Sequence, residues 1–150
     1  MFEKRLYARW GDMDFNGHMK NTAYLDASGD VRMMFFSENG FSMREFERLR
    51  LGPVILRDEL NYFRELKLLD PVRVTLTAAG LSEDGSHFLL RNEFFREDGK
   101  PVATVTSTGG WLDLERRKLV AAPGKLLAVI GLLEQTADFQ TLSNRVSGDK

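Results

Sequence analysis

The chain has 150 residues, no cysteine and a formal net charge of −1. That length suits one domain whose core buries roughly 70% of the extended-chain surface without covalent staples. The missing cysteines exclude disulfides, thiolate catalysis and Cys-ligated zinc, and the near-neutral charge argues against a broad nucleic-acid surface, which needs a basic excess or stripe.

Residues 2–10 alternate, with Phe2, Leu6, Ala8 and Trp10 set against Glu3, Arg5, Tyr7 and Arg9. Period two predicts a strand with one buried face. This segment is too charged for a signal peptide. A polar, glycine-containing loop follows from Gly11 to Gly17. From His18 to about Glu38 the period changes: Met19, Ala23, Ala27, Val31 and Phe35 recur every four residues, the mark of a helix with an apolar stripe. Such a helix is about 30 Å long, and its small residues (Ala23, Ala27, Ser28) suit close approach to a sheet. Asn39-Gly40 is a helix stop, and residues 41–51 read as a short helix or an irregular connection.

Residues 53–112 read as strands. Val54, Leu56, Leu60 and Tyr62 alternate with polar residues, as do Val72, Val74, Leu76 and Ala78, and runs over residues 88–95 and 102–112 follow. Asp84-Gly85 and Asp98-Gly99 are hairpin signals between these runs, so the last strands form an antiparallel meander. Gly109-Gly110 predicts a bulge or a close backbone approach. Arg116-Arg117-Lys118, the only basic run, reads as a solvated turn. Pro123 opens a terminal helical stretch whose Leu126, Leu127, Val129, Ile130, Leu132 and Leu133 require a partner surface on this subunit or another. Residues 143–150 read as a flexible tail. There is no repeat, no internal linker and no run near the ~20 apolar residues of a membrane helix. The expected fold is α+β, one domain over residues 1–150, with a long helix on a curved antiparallel sheet of about five strands. Pairing of edge strands in a homo-oligomer would protect such a sheet.

Residues 10–24 place a carboxylate, an amide, an imidazole and a glycine turn just before the helix. A helix start offers unpaired N–H groups and partial positive charge, suited to an anion that develops during acyl transfer. Asp14 reads either as a turn carboxylate or as a base or nucleophile, and Asp12 carries the same pair of readings. Asn16 is a helix N-cap or a hydrogen-bonding partner of Asp14. His18 is an exposed first-turn residue, a positioning group or a general base. Gly17 would let a carbonyl approach the backbone N–H groups. Asn21 and Tyr24 lie on the first helical turns, Tyr24 reading first as packing, and Glu59, Glu65 and His87 read as exposed. No G-x-S-x-G elbow, phosphate loop or dinucleotide-binding glycine motif is present, and two distant histidines supply no His-rich metal site. A carboxylate-based reaction on an activated acyl group remains, and thioesters suit it.

Gly11-Asp12-x-Asp14-x-x-Gly17-His18-Met19, followed by Asn21, Tyr24 and a long helix, resembles the signature of the hotdog-fold thioesterases, the 4-hydroxybenzoyl-CoA thioesterase-like superfamily. Asp14-x-Asn16-x-His18 with Asn21 also resembles the loop of the acyl-ACP thioesterases. Leu60-Asn61-Tyr62-Phe63-Arg64 and Asp70-Pro71-Val72 agree with this, over roughly residues 2–120. The absence of cysteine fits a reducing cytoplasm, and the resemblance implies a thioester hydrolase acting on acyl-CoA or acyl-ACP without a metal or other cofactor. It implies Asp14 as nucleophile or base, Asn16 and His18 positioning it or a water, and N–H groups near Gly17, Asn21 and Tyr24 polarising the carbonyl. It further implies a homodimer or homotetramer with the site at a dimer interface and an acyl pocket drawn from Trp10, Met13, Phe15 and Phe36. Glu65 matches an acyl-ACP-branch carboxylate whose usual neighbour is Cys, where this chain has Leu66. A hydratase or dehydratase on the same fold and a non-catalytic acyl-binding module are the alternatives, because one fold hosts many functions.

Overall fold

The computed structural model describes residues 1–144. The opening alternation forms strand β1, Phe2–Tyr7, in which Phe2, Lys4 and Leu6 are half-buried and their neighbours exposed. It ends three residues earlier than the pattern predicts. A 3-10 turn at Trp10–Asp12 takes over, and Trp10 swings out to 80% exposure. Helix α1 spans Asn21–Glu38 rather than starting at His18. His18 and Met19 are held extended by isolated bridges to Lys67 and Met13, so the helix can begin only after Lys20. Ala23, Val31 and Phe35 of the expected stripe are buried, together with Tyr24, Ser28 and Phe36. Gly40, at φ +85°, ends the helix where Asn39-Gly40 predicted a stop.

Helix α2, Met43–Leu49, leads into β2, Leu51–Tyr62. Strands β3 (Pro71–Ser82), β4 (His87–Arg96) and β5 (Pro101–Asp113) form the expected meander. Its hairpins turn at Gly85 and Gly99, both at positive φ. Strand β6 (Lys118–Val120), helix α3 (Gly124–Ile130) and strand β7 (Gln135–Leu142) complete the described chain. The strand order is β1-β3-β4-β5-β2, with β6 on β5 and β7 on β3. Pairing is antiparallel except between β3 and β7. Strands β1 and β7 share one edge of β3 end to end, at residues 71–76 and 78–82. With α1 packed against the sheet this is the hotdog fold, built on seven strands rather than about five. The two extra strands have weak patterns: β6 is three residues long, and only Thr136, Phe139 and Leu142 of β7 are even half-buried.

Aromatic residues fill the core beyond the C-terminal half of α1. Phe36 and Phe46 meet Trp111 at ring-centroid distances of 5.8 and 6.0 Å, and Phe88 meets it at 5.1 Å. Each fully buried Phe contributes about 1.5–3 kcal/mol of transfer free energy. The terminal apolar stretch finds its partner surface on its own subunit: Leu126, Val129, Ile130 and Leu133 are buried, while Leu132 is exposed. His87, expected on the surface, is buried at the start of β4, where its N–H donates to Ser82 Oγ at 2.9 Å. The expected tail at residues 143–150 lies, beyond Asn144, outside the described residues.

Candidate active site

The loop between β1 and α1 is a tight turn built around one carboxylate. Asp14 Oδ1 accepts the backbone N–H groups of Asn16 at 2.8 Å and His18 at 3.1 Å. The Asp14 N–H donates to the His18 carbonyl at 2.8 Å, and Gly17, at φ +79°, donates to the Asp14 carbonyl at 3.1 Å. Only glycine takes that φ without strain. Among the described residues Oδ2 of Asp14 has no bond, so one oxygen shapes the turn and the other is open. The loop is stitched to the β2–β3 connection: the Met19 N–H reaches the Leu66 carbonyl at 2.8 Å, and His18 bridges Lys67.

This turn forms one wall of a cavity of about 680 Å³ lined by Asp14, His18, Met19, Asn21, Tyr24, Tyr62, Phe63, Arg64, Glu65 and Arg96. His18 Nε2 lies 3.2 Å from Glu65 Oε2. Lys20, the N-cap of α1, makes no side-chain capping bond, and the positive end of the helix dipole lies at this end of α1. Asn21 Oδ1 accepts the Thr22 N–H at 3.0 Å, and Tyr62 donates its hydroxyl to the Asn21 carbonyl at 3.3 Å. The Tyr24 ring packs edge-on against Tyr62 and Phe94 at 5.5 and 5.2 Å. Burial, then the neighbouring Tyr62, pushes the Tyr24 phenol up to about 12, so it stays protonated and can only donate or accept a neutral hydrogen bond.

Asp12 has different surroundings. Its carboxylate is clamped by the Arg9 backbone N–H at 2.9 Å and by the guanidinium at 3.2 and 3.1 Å. Burial alone would push its carboxyl up, but these bonds hold it below the usual carboxylate range. It closes the 3-10 turn and lies outside the cavity.

Of the residues expected at the site, the cavity gathers Asp14, His18, Asn21, Tyr24 and Glu65, with Gly17 shaping the turn beside it. The Asn16 side chain is exposed and the residue takes part through its backbone N–H. The four expected acyl-pocket residues are scattered: Trp10 and Phe15 are exposed, Phe36 lies in the aromatic core, and Met13 is half-buried at the margin of the hydrophobic core. Tyr62, Arg64 and Arg96 were not expected as lining. Tyr62 is the last residue of β2 and Arg64 lies two residues beyond it, with Phe63 between them lining the same cavity. Arg96 arrives through the β4–β5 hairpin, paired with Asp98 at 2.7 Å, and no local pattern announces it. Among the described residues no group of three His, Cys, Asp or Glu could hold a metal ion, and no helix is long and apolar enough to cross a membrane.

Comparison with known proteins bears on the fold and the family. No curated protein matches the chain by sequence. A hypothetical protein from Staphylococcus aureus, solved in complex with CoA, is 25% identical with a TM-score of 0.80, over 87% of this chain and 81% of its own. A 1,4-dihydroxy-2-naphthoyl-CoA thioesterase from Synechocystis shares the fold at 16% identity, with a TM-score of 0.79 over 88% and 96% of the two chains. A gentisyl-coenzyme A thioesterase does so at 18% identity, with a TM-score of 0.77 over 86% and 99%. A family model described as the thioesterase-like superfamily matches residues 8–130, and with a match over that much of its length the chain belongs to this superfamily.

Proposed function

We propose that this chain hydrolyses acyl thioesters of CoA, with Asp14 as the reacting carboxylate. The observation that carries this reading is that Asp14, with Oδ2 unbonded among the described residues, and Asn21, the first residue of α1, line one cavity. A thioester carbonyl placed between them would have its oxygen toward the N–H groups and its carbon toward the carboxylate or a water held by it. In the base route Asp14 takes a proton from water, the hydroxide adds to the carbonyl, the C–S bond breaks and the thiolate recovers a proton. In the nucleophile route Oδ2 itself adds and water then cleaves the mixed anhydride. In both, charge develops on the carbonyl oxygen, where fixed donors are most effective. The His18–Glu65 pair orients the imidazole beside this position.

A carrier-protein thioester presents the same reacting carbon, so the substrate panel includes one. The pocket is completed by a second protomer. Strand β2 is an edge strand, and Leu56, Tyr62 and Phe63 on or beside it are exposed apolar residues, as are Trp10 and Phe15 on the loop. Pairing across β2 would cover them and wall the cavity.

Asp14→Asn keeps the shape of the side chain and removes the charge. Its rate of thiol release from an acyl-CoA panel should fall about 10³-fold with an unchanged circular dichroism spectrum. Wild-type rates in that variant would overturn the assignment. Single-turnover hydrolysis in ¹⁸O-water separates the routes, since only the nucleophile route can leave label in the Asp14 carboxylate.

A further inference from the structure

A second cavity, of about 220 Å³, lies between α1 and β1. Its floor is apolar: Leu6 of β1, Val72 of β3 and, from one face of α1, Ala23, Ala27 and Met34. The two alanines keep the helix surface low, so a slot stays open where larger side chains would fill it. Strand β1 runs antiparallel to α1. The Lys4–Glu38 ion pair and the edge-on contact of Phe2 with Phe35 at 5.2 Å draw the two elements together at the far end. At the near end stand Met19 and the Asp12–Arg9 clamp. Met19 lines both this slot and the cavity that holds Asp14. Its backbone is pinned, by the 2.8 Å bond to the Leu66 carbonyl and the bridge to Met13. Its side chain, 8% exposed, is unbranched with three rotatable bonds. The wall between the two chambers can therefore turn while the Asp14 loop keeps its shape.

The chemistry of the two chambers differs. The Asp14 cavity is lined mainly by polar side chains, and the residues expected to hold an acyl chain are scattered. The slot offers a hydrocarbon what that cavity lacks. Its rim cations are taken, Arg5 by Glu97 and Arg9 by Asp12. None of its lining residues carries one of the buried unpaired polar atoms found among the described residues. An anionic or polar tail thus finds no waiting partner, whereas each methylene buried there improves binding about fourfold. We propose that the tail of a straight-chain acyl group passes Met19 into the slot between β1 and α1, where Ala27 and Met34 set the chain length the site accepts; this rests on the thioester reading above. An apolar cavity of about 150 Å³ holds the six carbons of benzene, so the slot has room for about eight carbons beyond Met19. Strands β1 and β2 are at opposite ends of the strand order. The tail therefore lies within one protomer, away from the β2 edge.

The test is the chain-length profile of kcat/KM over saturated acyl-CoAs from butyryl to hexadecanoyl. Ala27 lines the slot and not the Asp14 cavity, so Ala27→Leu fills the slot midway. The dodecanoyl-to-butyryl ratio should then fall about tenfold or more, with the butyryl rate within about threefold of wild type. Met34→Ala opens the far end and should move the optimum to longer chains. Met19→Ile puts a stiff β-branched side chain in the wall and should lower the same ratio. A wild-type profile that gains nothing with length, or a ratio unchanged in Ala27→Leu, overturns the proposal. If Ala27→Leu fails to fold by circular dichroism, Met34→Ala decides, and an unmoved optimum overturns it. If no thioester is cleaved at any length, the proposed activity falls. Thermal shifts with uncleavable alkyl-CoA thioethers then read the slot without catalysis. It stands if dodecyl-CoA raises the Tm of the wild type more than butyl-CoA does and this difference is lost in Ala27→Leu. It falls if the two thioethers act alike.

Discussion

Asp12 and Asp14 stand two positions apart and meet opposite surroundings. Asp12 is buried and clamped by Arg9; Asp14 spends one oxygen on its turn, keeps the other unbonded among the described residues, and lines the cavity. Spacing could not separate them, because the difference comes from an arginine folding back across a 3-10 turn. The resemblance to a loop signature favoured Asp14, and the geometry supplies the physical contrast. The clamp has a pH signature. The folded-state pKa of Asp12 is depressed, so the unfolded chain binds more protons in acid; the contribution of Asp12 is complete above the ordinary value of 3.8 and is lost as pH falls through the lower folded value. Arg9→Met removes the guanidinium bonds and charge that help offset burial and leaves the backbone N–H bond in place. We expect its acid-unfolding midpoint, followed by circular dichroism, to move to higher pH.

Among the elements, β5 depends most on a single residue type. A Cβ on Gly109 would lie 2.4 Å from the Val54 carbonyl oxygen and 2.5 Å from the Phe88 ring. At the same level of the sheet β2 slips register between Ile55 and Arg57, leaving Leu56 unpaired. The paired glycines were legible as a close approach, and the structure adds what approaches. Gly109→Ala should cost about 3 kcal/mol or more, read as a lower denaturant midpoint; an unchanged midpoint would mean that β2 can retreat. The helix period, both hairpins and the Asn39-Gly40 stop were equally legible, because each depends on local backbone preference. The start of α1 was not: His18 has a helical neighbourhood in sequence but is pulled straight by a strand connection fifty residues away. Strands β6 and β7 were missed for a related reason, since their pairing, not their composition, makes them strands.

On the scale of the whole molecule, β2 is an open edge of the sheet. Its neighbour β5 occupies one side and no described strand the other, which leaves a twelve-residue template for pairing. Leu56, the bulge residue, is half exposed there. If a second copy pairs on this edge, Leu56→Glu should shift the sedimentation coefficient from dimer to monomer and lower hydrolysis about tenfold or more, since a missing wall opens the cavity to water. A dimer unaffected by this change would place the interface elsewhere. The stitching of the Asp14 loop to residues 66 and 67 then acquires a wider meaning. Four residues beyond the end of β2 the chain is bonded to His18 and Met19, so the backbone that would seat a neighbour is continuous with the backbone that aims the carboxylate. Turnover per mole of protein should therefore depend on how much protein is in the cuvette, falling on dilution below the dissociation constant and recovering on concentration.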